Sequence, residues 1–377
     1  MPGPVIIGGG PAGATAALLL ARAGRAVTLI ERNAGPTNKV CGDFLSAEAI
    51  EAIAALGVDI AALAPSEITN VRLVHGKRIA TARLPFPALG LTRRALDEAL
   101  LRQAELSGAT VLRGCPVRSI NRSNGSLRLD CGSAGTVAAD TVFLATGKHD
   151  LRGAARPMRG TGLVGMKMYY ALDPRQQAGL RGHVELILFV GGYAGLQLVE
   201  SDRAVLCVLV PGARLRAVDG QWDKLFESLT HESPHLAERL NGARPMLDRP
   251  LAIAGLPYGY THAPNAKDSP NLFRLGDQAT VIASLTGDGV ALALASATLA
   301  SNILLAHGNA AGAYHLAWAR RVAPQMRLSS LIHRACLVSA AQPWLLLLCR
   351  CWPRAMRLAA SRTRVRADTF RSVFATE

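Results

Sequence analysis

Three glycines near the start of the chain have the spacing of a loop that binds phosphate groups. Gly8, Gly10 and Gly13 form the pattern G-x-G-x-x-G directly after the short apolar segment V-I-I. The first glycine of such a loop allows a tight turn, the second lets the backbone approach a pyrophosphate, and the third lets a helix pack closely on a strand. Pro11 and Ala12 begin the predicted helix, whose N-terminal amides and dipole favour a bound anion.

An acidic residue completes the predicted dinucleotide site. The helix is predicted to end at Gly24, and the apolar residues 27–30 predict a second strand. Glu31 follows this strand, where a carboxylate can accept hydrogen bonds from both ribose hydroxyls of an adenosine, and Arg32 comes next. Strand, glycines, helix, second strand and acid therefore stand in the order that a nucleotide-binding fold requires.

A second match to the glycine pattern lies in the middle of the chain. Gly160, Gly162 and Gly165 have the same spacing, but no apolar strand precedes them and no helix or acidic residue follows. We interpret this match as a loop that leads into a strand. The sequence thus predicts one nucleotide-binding fold and no second one.

The composition is that of a globular chain with room for two domains. Half of the 377 residues are apolar, and the first predicted strand begins too close to the N-terminus to leave room for a secretory signal peptide before it. The seven cysteines are an odd number without the spacing of a metal site. This usage predicts reduced thiols, a cytoplasmic location and no bound metal.

Positive charge is concentrated near the C-terminus. The chain has a formal charge of +15, and residues 301–377 contribute eleven arginines, no lysine and two acidic residues. No nucleic-acid-binding motif accompanies them, so no nucleic-acid partner is expected. A solvated helical face, an anionic inner membrane surface and an acidic or acyl-carrier partner all stay open as explanations. The apolar run 335–349 is too short to span a bilayer.

Several segments farther along the chain predict that the nucleotide is a flavin. Arg93 opens a predicted helix, where its guanidinium can bind phosphate. Val117 follows a predicted strand, at a position where an adenine commonly meets backbone. Another predicted strand ends in Ala145, Thr146 and Gly147 at the same edge of the sheet.

The most informative of these segments follows the last predicted strand. Gly276 and Asp277 close that strand, and the aspartate can bind the hydroxyls of a ribityl chain. A long helix is predicted to begin at the sequence Thr286-Gly287-Asp288-Gly289. The amides and positive dipole end of such a helix can face the O2/N1 edge of a flavin, where they stabilise the anionic reduced form.

Together these motifs resemble those of the FAD-dependent oxidoreductases of the p-hydroxybenzoate hydroxylase and geranylgeranyl reductase superfamily. Lys39 and Cys41 begin the segment K-V-C-G-D-F-L-S, which is similar to the K-x-C-G-x-x-L-S segment that runs beside the flavin in the geranylgeranyl reductase branch. Tyr193 stands in a glycine-tyrosine turn similar to one that this branch places over the isoalloxazine ring. The resemblance implies that Lys39 and Cys41 contact FAD and that Cys41 and Tyr193 take part in catalysis.

The predicted elements indicate an α/β fold with a discontinuous domain. A Rossmann-like FAD-binding domain of the glutathione-reductase type is expected, with an inserted β-sheet substrate domain and a helical, basic C-terminal tail. The expected FAD-binding segments are 1–68, 92–153 and 269–330, the substrate domain comprises the hairpin 69–91 and residues 154–268, and the tail is 331–377. Ser46 is predicted to cap a helix over 46–56, and Gly76 to turn a hairpin over 70–84.

Two reactions fit this resemblance. The first expectation is an NAD(P)H-driven monooxygenase that hydroxylates a lipophilic aromatic or polyketide-like substrate through a flavin C4a-hydroperoxide. The alternative is flavin-dependent reduction of C=C bonds in a prenyl or polyketide chain. The cysteine segment favours this alternative, whereas the lack of an aromatic-proline run after the glycine-tyrosine turn argues against it. Halogenation is disfavoured because the four tryptophans are scattered, and a flavin-binding protein without activity is disfavoured because the redox edge of the predicted site is complete.

Overall fold

A parallel sheet and a larger mixed sheet form the framework of the chain. The computed structural model describes residues 3–123, 125–157, 160–265 and 268–365. The strands, in chain order, are β1 (Val5–Ile7), β2 (Thr28–Glu31), β3 (Phe44–Leu45), β4 (Ser66–His75), β5 (Arg78–Gly90), β6 (Thr110–Arg113), β7 (Ser119–Ser123), β8 (Ser126–Asp130), β9 (Thr136–Ala139), β10 (Val142–Leu144), β11 (Leu163–Ala171), β12 (Gly182–Phe189), β13 (Gly192–Leu198), β14 (Ala204–Pro211), β15 (Arg244–Pro245), β16 (Leu251–Ala254) and β17 (Leu272–Arg274). The helices are α1 (Pro11–Arg22), α2 (Ala47–Ala55), α3 (Arg93–Leu106), α4 (Pro174–Leu180), α5 (Gly212–Arg216), α6 (Trp222–Glu232), α7 (Pro234–Arg239), α8 (Gly289–His307), α9 (Ala311–Leu337), α10 (Gln342–Cys351) and α11 (Arg354–Arg362).

The parallel sheet gathers the predicted nucleotide-binding loops at one edge. Its strands have the order β17-β10-β1-β2-β6 and all run in the same direction. The strands β1, β10 and β17 are fully buried, as expected for parallel strands that helices cover on both faces. Because the strands are parallel, the loops that carry Gly8, Ala145 and Gly276 lie next to Glu31, the last residue of β2, at neighbouring carboxyl ends. The α/β fold with a Rossmann-like core is therefore confirmed.

The mixed sheet has two different apolar faces. Its strand order is β15-β11-β14-β13-β12-β4-β5-β3, with β16 paired to β11, and only β12 and β4 are parallel. Met166, Met168 and their neighbours on one face pack against α6 and α7. Val71 and Leu73 lie on the other face and pack together with residues of the C-terminal helices. Alternation along each strand therefore separates a structural core from a second apolar surface.

Most predicted elements are present, with one correction at a helix N-terminus. The predicted hairpin is the pair β4 and β5, and the turn between them contains Gly76. Ser46 is the N-terminal boundary residue of α2, but its side chain does not cap the helix. The Ser46 hydroxyl instead donates to an oxygen of Asp288 at 3.3 Å. A buried carboxylate competes for this hydroxyl, so Ser46 stands at the predicted N-cap position without the side-chain hydrogen bond of a cap.

A small antiparallel sheet was not predicted from the sequence. Strands β7, β8 and β9 pair in that order. Ile120, Leu127 and Leu129 are buried and pack against the strands β1 and β10 of the parallel sheet. These strands are short and carry serine, asparagine and arginine between the apolar residues, so their β-type alternation is weak in the sequence.

The C-terminal part of the chain is helical, as predicted, through α9, α10 and α11. Helices α9 and α10 meet at an angle of 115°, so the apolar run 335–349 is divided between two helices. Residues 366–377 of the predicted tail lie outside the described residues. By length and composition α8 could span a membrane, but 61% of its apolar window is buried inside the protein, where α8 packs on α1.

We expect Gly13→Ala to destabilise the protein, because a Cβ at this position would lie 1.8 Å from the carbonyl oxygen of Gly8. That oxygen belongs to the backbone, so α1 or the preceding loop must shift, which costs about 1–3 kcal/mol for a well-packed core. Denaturant unfolding of the purified protein measures the loss. Gly35→Ala is the control, since a Cβ there meets no atom within 4 Å. Equal effects of the two substitutions would contradict this packing.

Candidate functional site

A large cavity lies where the carboxyl edge of the parallel sheet faces the mixed sheet. Its volume is about 740 Å³. Small residues and loop backbone line the end next to the parallel sheet, and apolar side chains of the mixed sheet and the C-terminal helices line the rest. The predicted site residues on its wall are Gly10, Pro11, Ala12, Cys41, Arg93, Ala145, Gly147, Tyr193, Gly276, Asp277, Thr286, Gly287 and Gly289.

The glycine loop after β1 is built for close backbone approach. Gly8 has φ = +105°, and a Cβ there would lie 2.5 Å from the carbonyl oxygen of Ala145. Gly8 and Gly13 are thus needed for packing within the loop, whereas Gly10 lies on the cavity wall. At Gly10 the nearest atom to a Cβ would be a guanidinium nitrogen of Arg93, at 3.1 Å.

Glu31 holds this loop from the next strand. One carboxylate oxygen accepts from the amide of Gly9 at 2.6 Å, and the other accepts from the backbone amide of Asn33 at 3.0 Å. Glu31 and Lys39 lie in a narrow cleft beside the cavity. The carboxylate therefore stands beside the glycine loop, at the position predicted for a ribose acceptor.

Arg93 joins this cleft to the cavity. Its guanidinium donates to both carboxylate oxygens of Asp97, at 2.6 and 2.9 Å, and Lys39 lies 3.2 Å from the same carboxylate. Burial lowers the pKa of Arg93, but the charge of Asp97 outweighs it and raises the pKa above its ordinary value. Arg93 is therefore a fixed cation on the cavity wall, suited to a phosphate group.

Two helix N-termini point at the same end of the cavity. Helix α1 begins at Pro11 and α8 at Gly289, and both residues lie on the cavity wall. Gly287 has φ = +67°, and a Cβ there would lie 2.6 Å from the ring of Phe44. Free amides, small residues and the Arg93 cation form a cradle that fits the phosphates and ring edge of FAD.

Other predicted residues lie away from the cavity wall. The Arg32 guanidinium is 3.0 Å from a ring nitrogen of His149. The Thr146 hydroxyl donates to the carbonyl of His149 at 2.7 Å. Val117 is half-buried against the apolar cluster of the parallel sheet. The structure therefore brings most predicted residues together and leaves these three at the periphery.

The side chain of Asp288 does not face the cavity, whereas the predicted flavin contact at this position is through backbone amides at the start of α8. The carboxylate is fully buried and accepts from Gln325 at 2.8 Å and from the amide of Val365 at 2.9 Å. It also lies 3.2 Å from the guanidinium of Arg364. Burial raises the pKa of Asp288 to about 6, although the Arg364 charge opposes this. Its carboxylate anchors the C-terminal segment, and only the neighbouring glycines reach the cavity.

A buried ion pair under the cysteine segment was missed by the sequence reasoning. The Lys167 ammonium lies 2.6 Å from a carboxylate oxygen of Asp43, and both side chains are completely buried. The same oxygen accepts from the Tyr169 hydroxyl at 2.7 Å. Burial raises the pKa of Asp43, although the Lys167 charge opposes it. A lysine inside the apolar strand sequence L-V-G-M-K-M-Y-Y-A was the available signal.

Tyr193 belongs to a polar group at the boundary between the cavity and α9. Its hydroxyl is 2.8 Å from the hydroxyl of Ser284 and 3.3 Å from a ring nitrogen of His333. Burial raises the pKa of Tyr193 far above its ordinary value and lowers that of His333 to about 4. The phenol is thus protonated and the imidazole neutral at physiological pH. Tyr258, another cavity residue, packs against the His333 ring.

Comparison with known proteins agrees with this cradle. Residues 4–137 match the family model described as an FAD binding domain. The chain is 25% identical over 331 residues to the menaquinone reductase of Mycolicibacterium smegmatis. The alignment covers 81% of this chain and 76% of that protein.

Solved structures show the same fold at low sequence identity. The flavin-dependent halogenase CmlS superposes with a TM-score of 0.75 at 22% identity, covering 98% of this chain and 76% of that one. A geranylgeranyl bacteriochlorophyll reductase-like protein of Thermoplasma acidophilum superposes with a TM-score of 0.70 at 16% identity, covering 99% of this chain and 96% of that one.

The fold and the cradle define an FAD-binding flavoprotein with oxidoreductase relatives. Residues 4–137 therefore form an FAD binding domain, and the chain has the fold of flavoenzymes such as the halogenase and the geranylgeranyl bacteriochlorophyll reductase-like protein. The contacts of individual residues with FAD, and the catalytic roles of Cys41 and Tyr193, stay predictions.

We expect Asp43→Asn to lower the free energy of unfolding by about 3–5 kcal/mol, because it leaves the buried Lys167 charge without its partner. Denaturant unfolding measures this change. Asp219→Asn is the matched control, because Asp219 pairs with Lys224 at 3.7 Å on the surface. Loss of such an exposed pair costs about 0–1 kcal/mol. Similar losses for the two variants would contradict the assigned importance of the buried pair.

We expect Glu31→Gln to weaken FAD binding by about 10- to 100-fold, since hydrogen bonds to a charged acceptor contribute about 1.5–3 kcal/mol. Quenching of flavin fluorescence on titration of the apoprotein gives the dissociation constant. Glu51→Gln, on the exposed side of α2, is the control. An unchanged dissociation constant for Glu31→Gln would exclude Glu31 as the ribose acceptor.

Proposed function

We propose that the protein uses FAD to reduce a lipophilic substrate, adding two hydrogen atoms to a C=C bond of a prenyl or related chain. The observation that carries this proposal is the cavity, in which the cradle for the flavin opens directly onto an apolar wall and two protonated tyrosines, Tyr193 and Tyr258. Reduced FAD would supply a hydride to one carbon of the double bond. NAD(P)H is proposed as the reductant, without a binding fold of its own.

Tyr193 is the proposed source of the proton for the second carbon. Its hydroxyl is part of the cavity wall, and burial keeps it protonated. After the proton leaves, the Ser284 hydroxyl can donate a hydrogen bond to the phenolate oxygen, and a proton taken up from solvent restores the phenol. Cys41 lies on the same wall, and the Cys207 thiol donates to its carbonyl at 2.9 Å. We assign Cys41 to positioning of the substrate chain beside the flavin.

This proposal reverses the order of the two reactions that the sequence favoured. A hydroxylase that acts on a phenol benefits from a base that removes the phenolic proton. Among the described residues of the cavity wall the only carboxylate is that of Asp277, which we assign to the ribityl chain of FAD. The similarity to a menaquinone reductase over most of the chain also supports reduction of a prenylated molecule.

Monooxygenation is the second candidate, and the apolar wall supports it. Leu73, Leu84 and Phe86 of the mixed sheet line the part of the cavity where a substrate would lie. A dry cavity of this kind protects reactive intermediates from water and suits a lipophilic aromatic ring. The neutral His333 could accept a phenolic proton through Tyr193. For either reaction we propose a cytoplasmic protein.

A single reaction of the reduced holoprotein separates the two candidates. The protein is reduced with NAD(P)H, freed of oxygen and mixed with a polyprenyl alcohol, which has C=C bonds but no quinone ring that could take up the two hydrogen atoms. If the protein reduces the C=C bond, the absorbance of oxidised FAD returns in the absence of oxygen, and the product is heavier than the substrate by two hydrogen atoms. The monooxygenase would be supported if the absorbance of oxidised FAD returns only after oxygen is added and the product has gained an oxygen atom. If neither product forms with any substrate of this class, both candidates fail.

We expect Tyr193→Phe to slow substrate reduction by about 10²- to 10⁴-fold while reduction of the flavin by NAD(P)H is unchanged, because only the proton donor is lost. Stopped-flow absorbance measures the two half-reactions separately. Tyr170→Phe is the control, since this buried tyrosine packs against Phe226 on the opposite face of the sheet. Equal rates for wild type and Tyr193→Phe would contradict the assigned role.

The pH dependence of the same step gives an independent check. The pKa of His333 is about 4 and that of Tyr193 lies far above 10, so neither group changes its charge in the neutral range. We therefore expect substrate reduction to be constant between about pH 6 and about pH 9. Protonation of His333 below this range removes an acceptor for the Tyr193 hydroxyl. An inflection near pH 7 that disappears in Tyr193→Phe would contradict these protonation states.

A further inference from the structure

Helix α10 has apolar residues on two opposite sides. Leu346 and Cys349 point inward and are 2% and 5% exposed. Trp344, Leu347 and Leu348 follow the helical spacing i, i+3 and i+4 on the outer side, and their exposed fractions are 72%, 48% and 49%. A helix at the surface of a globular protein normally has one apolar face. The outer face of α10 is therefore an apolar surface that no described part of the chain covers.

The apolar surface continues into the next helix. Trp352, between α10 and α11, is 49% exposed, and Leu358 in α11 is 48% exposed. We call Trp344, Leu347, Leu348, Trp352 and Leu358 the outer apolar face. Exposed tryptophan and leucine side chains on short helices are typical of segments that lie in the interface of a bilayer.

The charge around this face has a single sign. Residues 289–365 contain no aspartate or glutamate. Arg350, Arg354, Arg357 and Arg362 lie beside the outer apolar face in the sequence, and all four are exposed. No ion pair joins any of these four side chains to a described residue. Arginines without an ion-pair partner among the described residues, next to exposed tryptophan and leucine, complement a surface that is both anionic and apolar.

The same helices form one wall of the cavity. Leu348 and Trp352 line the cavity and are also half-exposed at the outer surface. Leu345 and Met356 continue the wall inward and are less exposed. The cavity therefore reaches the protein surface at the outer apolar face itself. The anchor of this wall is the buried Asp288–Arg364 pair, 3.2 Å apart, which fixes the end of α11 next to the predicted flavin cradle.

We propose that the outer apolar face docks on an anionic lipid bilayer and that the lipophilic substrate passes from the bilayer into the cavity between Leu348 and Trp352. The docking itself does not depend on the reaction, whereas the passage of substrate rests on the proposed function. A bilayer is favoured over an acidic carrier protein, because large exposed apolar side chains stand among the arginines, and the interface of an anionic bilayer accepts both.

Vesicle sedimentation of the FAD-loaded protein tests the docking. Vesicles of phosphatidylcholine with phosphatidylglycerol are expected to bind the protein at least about tenfold more tightly than vesicles of phosphatidylcholine alone, and high salt should remove the difference. The double variant Trp344→Gln, Leu347→Gln should lose about tenfold or more in binding while it retains its flavin. Leu106→Gln is the control, because Leu106 on α3 is 73% exposed and lies elsewhere.

A charge variant and a substrate comparison complete the test. Arg350→Gln, Arg354→Gln, Arg357→Gln should lose the preference for anionic vesicles, whereas the control Arg25→Gln, Arg102→Gln, Arg128→Gln, at exposed positions elsewhere, should keep it. The Trp344 and Leu347 variant should slow turnover of a substrate embedded in vesicles and leave that of a short-chain, water-soluble analogue unchanged.

Three results would overturn the docking proposal. The first is no binding to either type of vesicle, and the second is equal binding by wild type and the Trp344 and Leu347 variant. The third is saturable binding to an acyl carrier protein without any binding to vesicles. If the protein binds vesicles as expected but reduces no lipophilic substrate, the docking stands and the proposed function fails.

Discussion

The carboxylate of Asp43 and the ammonium of Lys167 meet in the interior, where neither has contact with water. Asp43 directly precedes β3 of the mixed sheet, at the end of the segment that leads there from β2 of the parallel sheet, and Lys167 belongs to β11 of the mixed sheet. The pair therefore ties the end of the segment that connects the two sheets to a central part of the mixed sheet, at the side of the cavity. Two charges are stable in such a place only when hydrogen bonds satisfy their remaining atoms, and Tyr169 and the carbonyl of Lys39 provide them.

The ion pair also fixes the segment that carries Cys41. Asp43 has φ = +55°, a left-handed backbone conformation that is unfavourable for a residue with a side chain. Gln197 donates to its carbonyl at 2.9 Å, and the amide of Leu91 donates to the same oxygen. Because strands of the mixed sheet and the start of α3 hold this one residue, the cysteine segment has a defined position on the cavity wall. A flexible segment there would leave the substrate without a fixed distance to the flavin.

The nucleotide-binding half of the site could be predicted because its signals are local. The glycine loop, Glu31 and the turn at Gly287 each follow a strand at short range, and a parallel sheet brings such loops together by its topology. The pairs Asp43–Lys167 and Asp288–Arg364 connect residues that are far apart in the sequence, so no spacing predicts them. For the same reason the motif predicts the helix N-terminus at Asp288 but not the contacts of its carboxylate with the C-terminal segment. The division into domains and the choice of reaction also depend on contacts between distant segments, and they stay predictions.

The central claim is that the flavin and a lipophilic substrate meet in one continuous cavity. The most direct measurement is the absorption spectrum of the oxidised holoprotein during titration with a prenylated quinone, which reports contact without turnover. We predict a saturable shift of the flavin bands with one quinone bound per FAD, because the apolar wall and the flavin cradle share the same space. Flavin bands that stay unchanged while the quinone binds to the protein would contradict the claim.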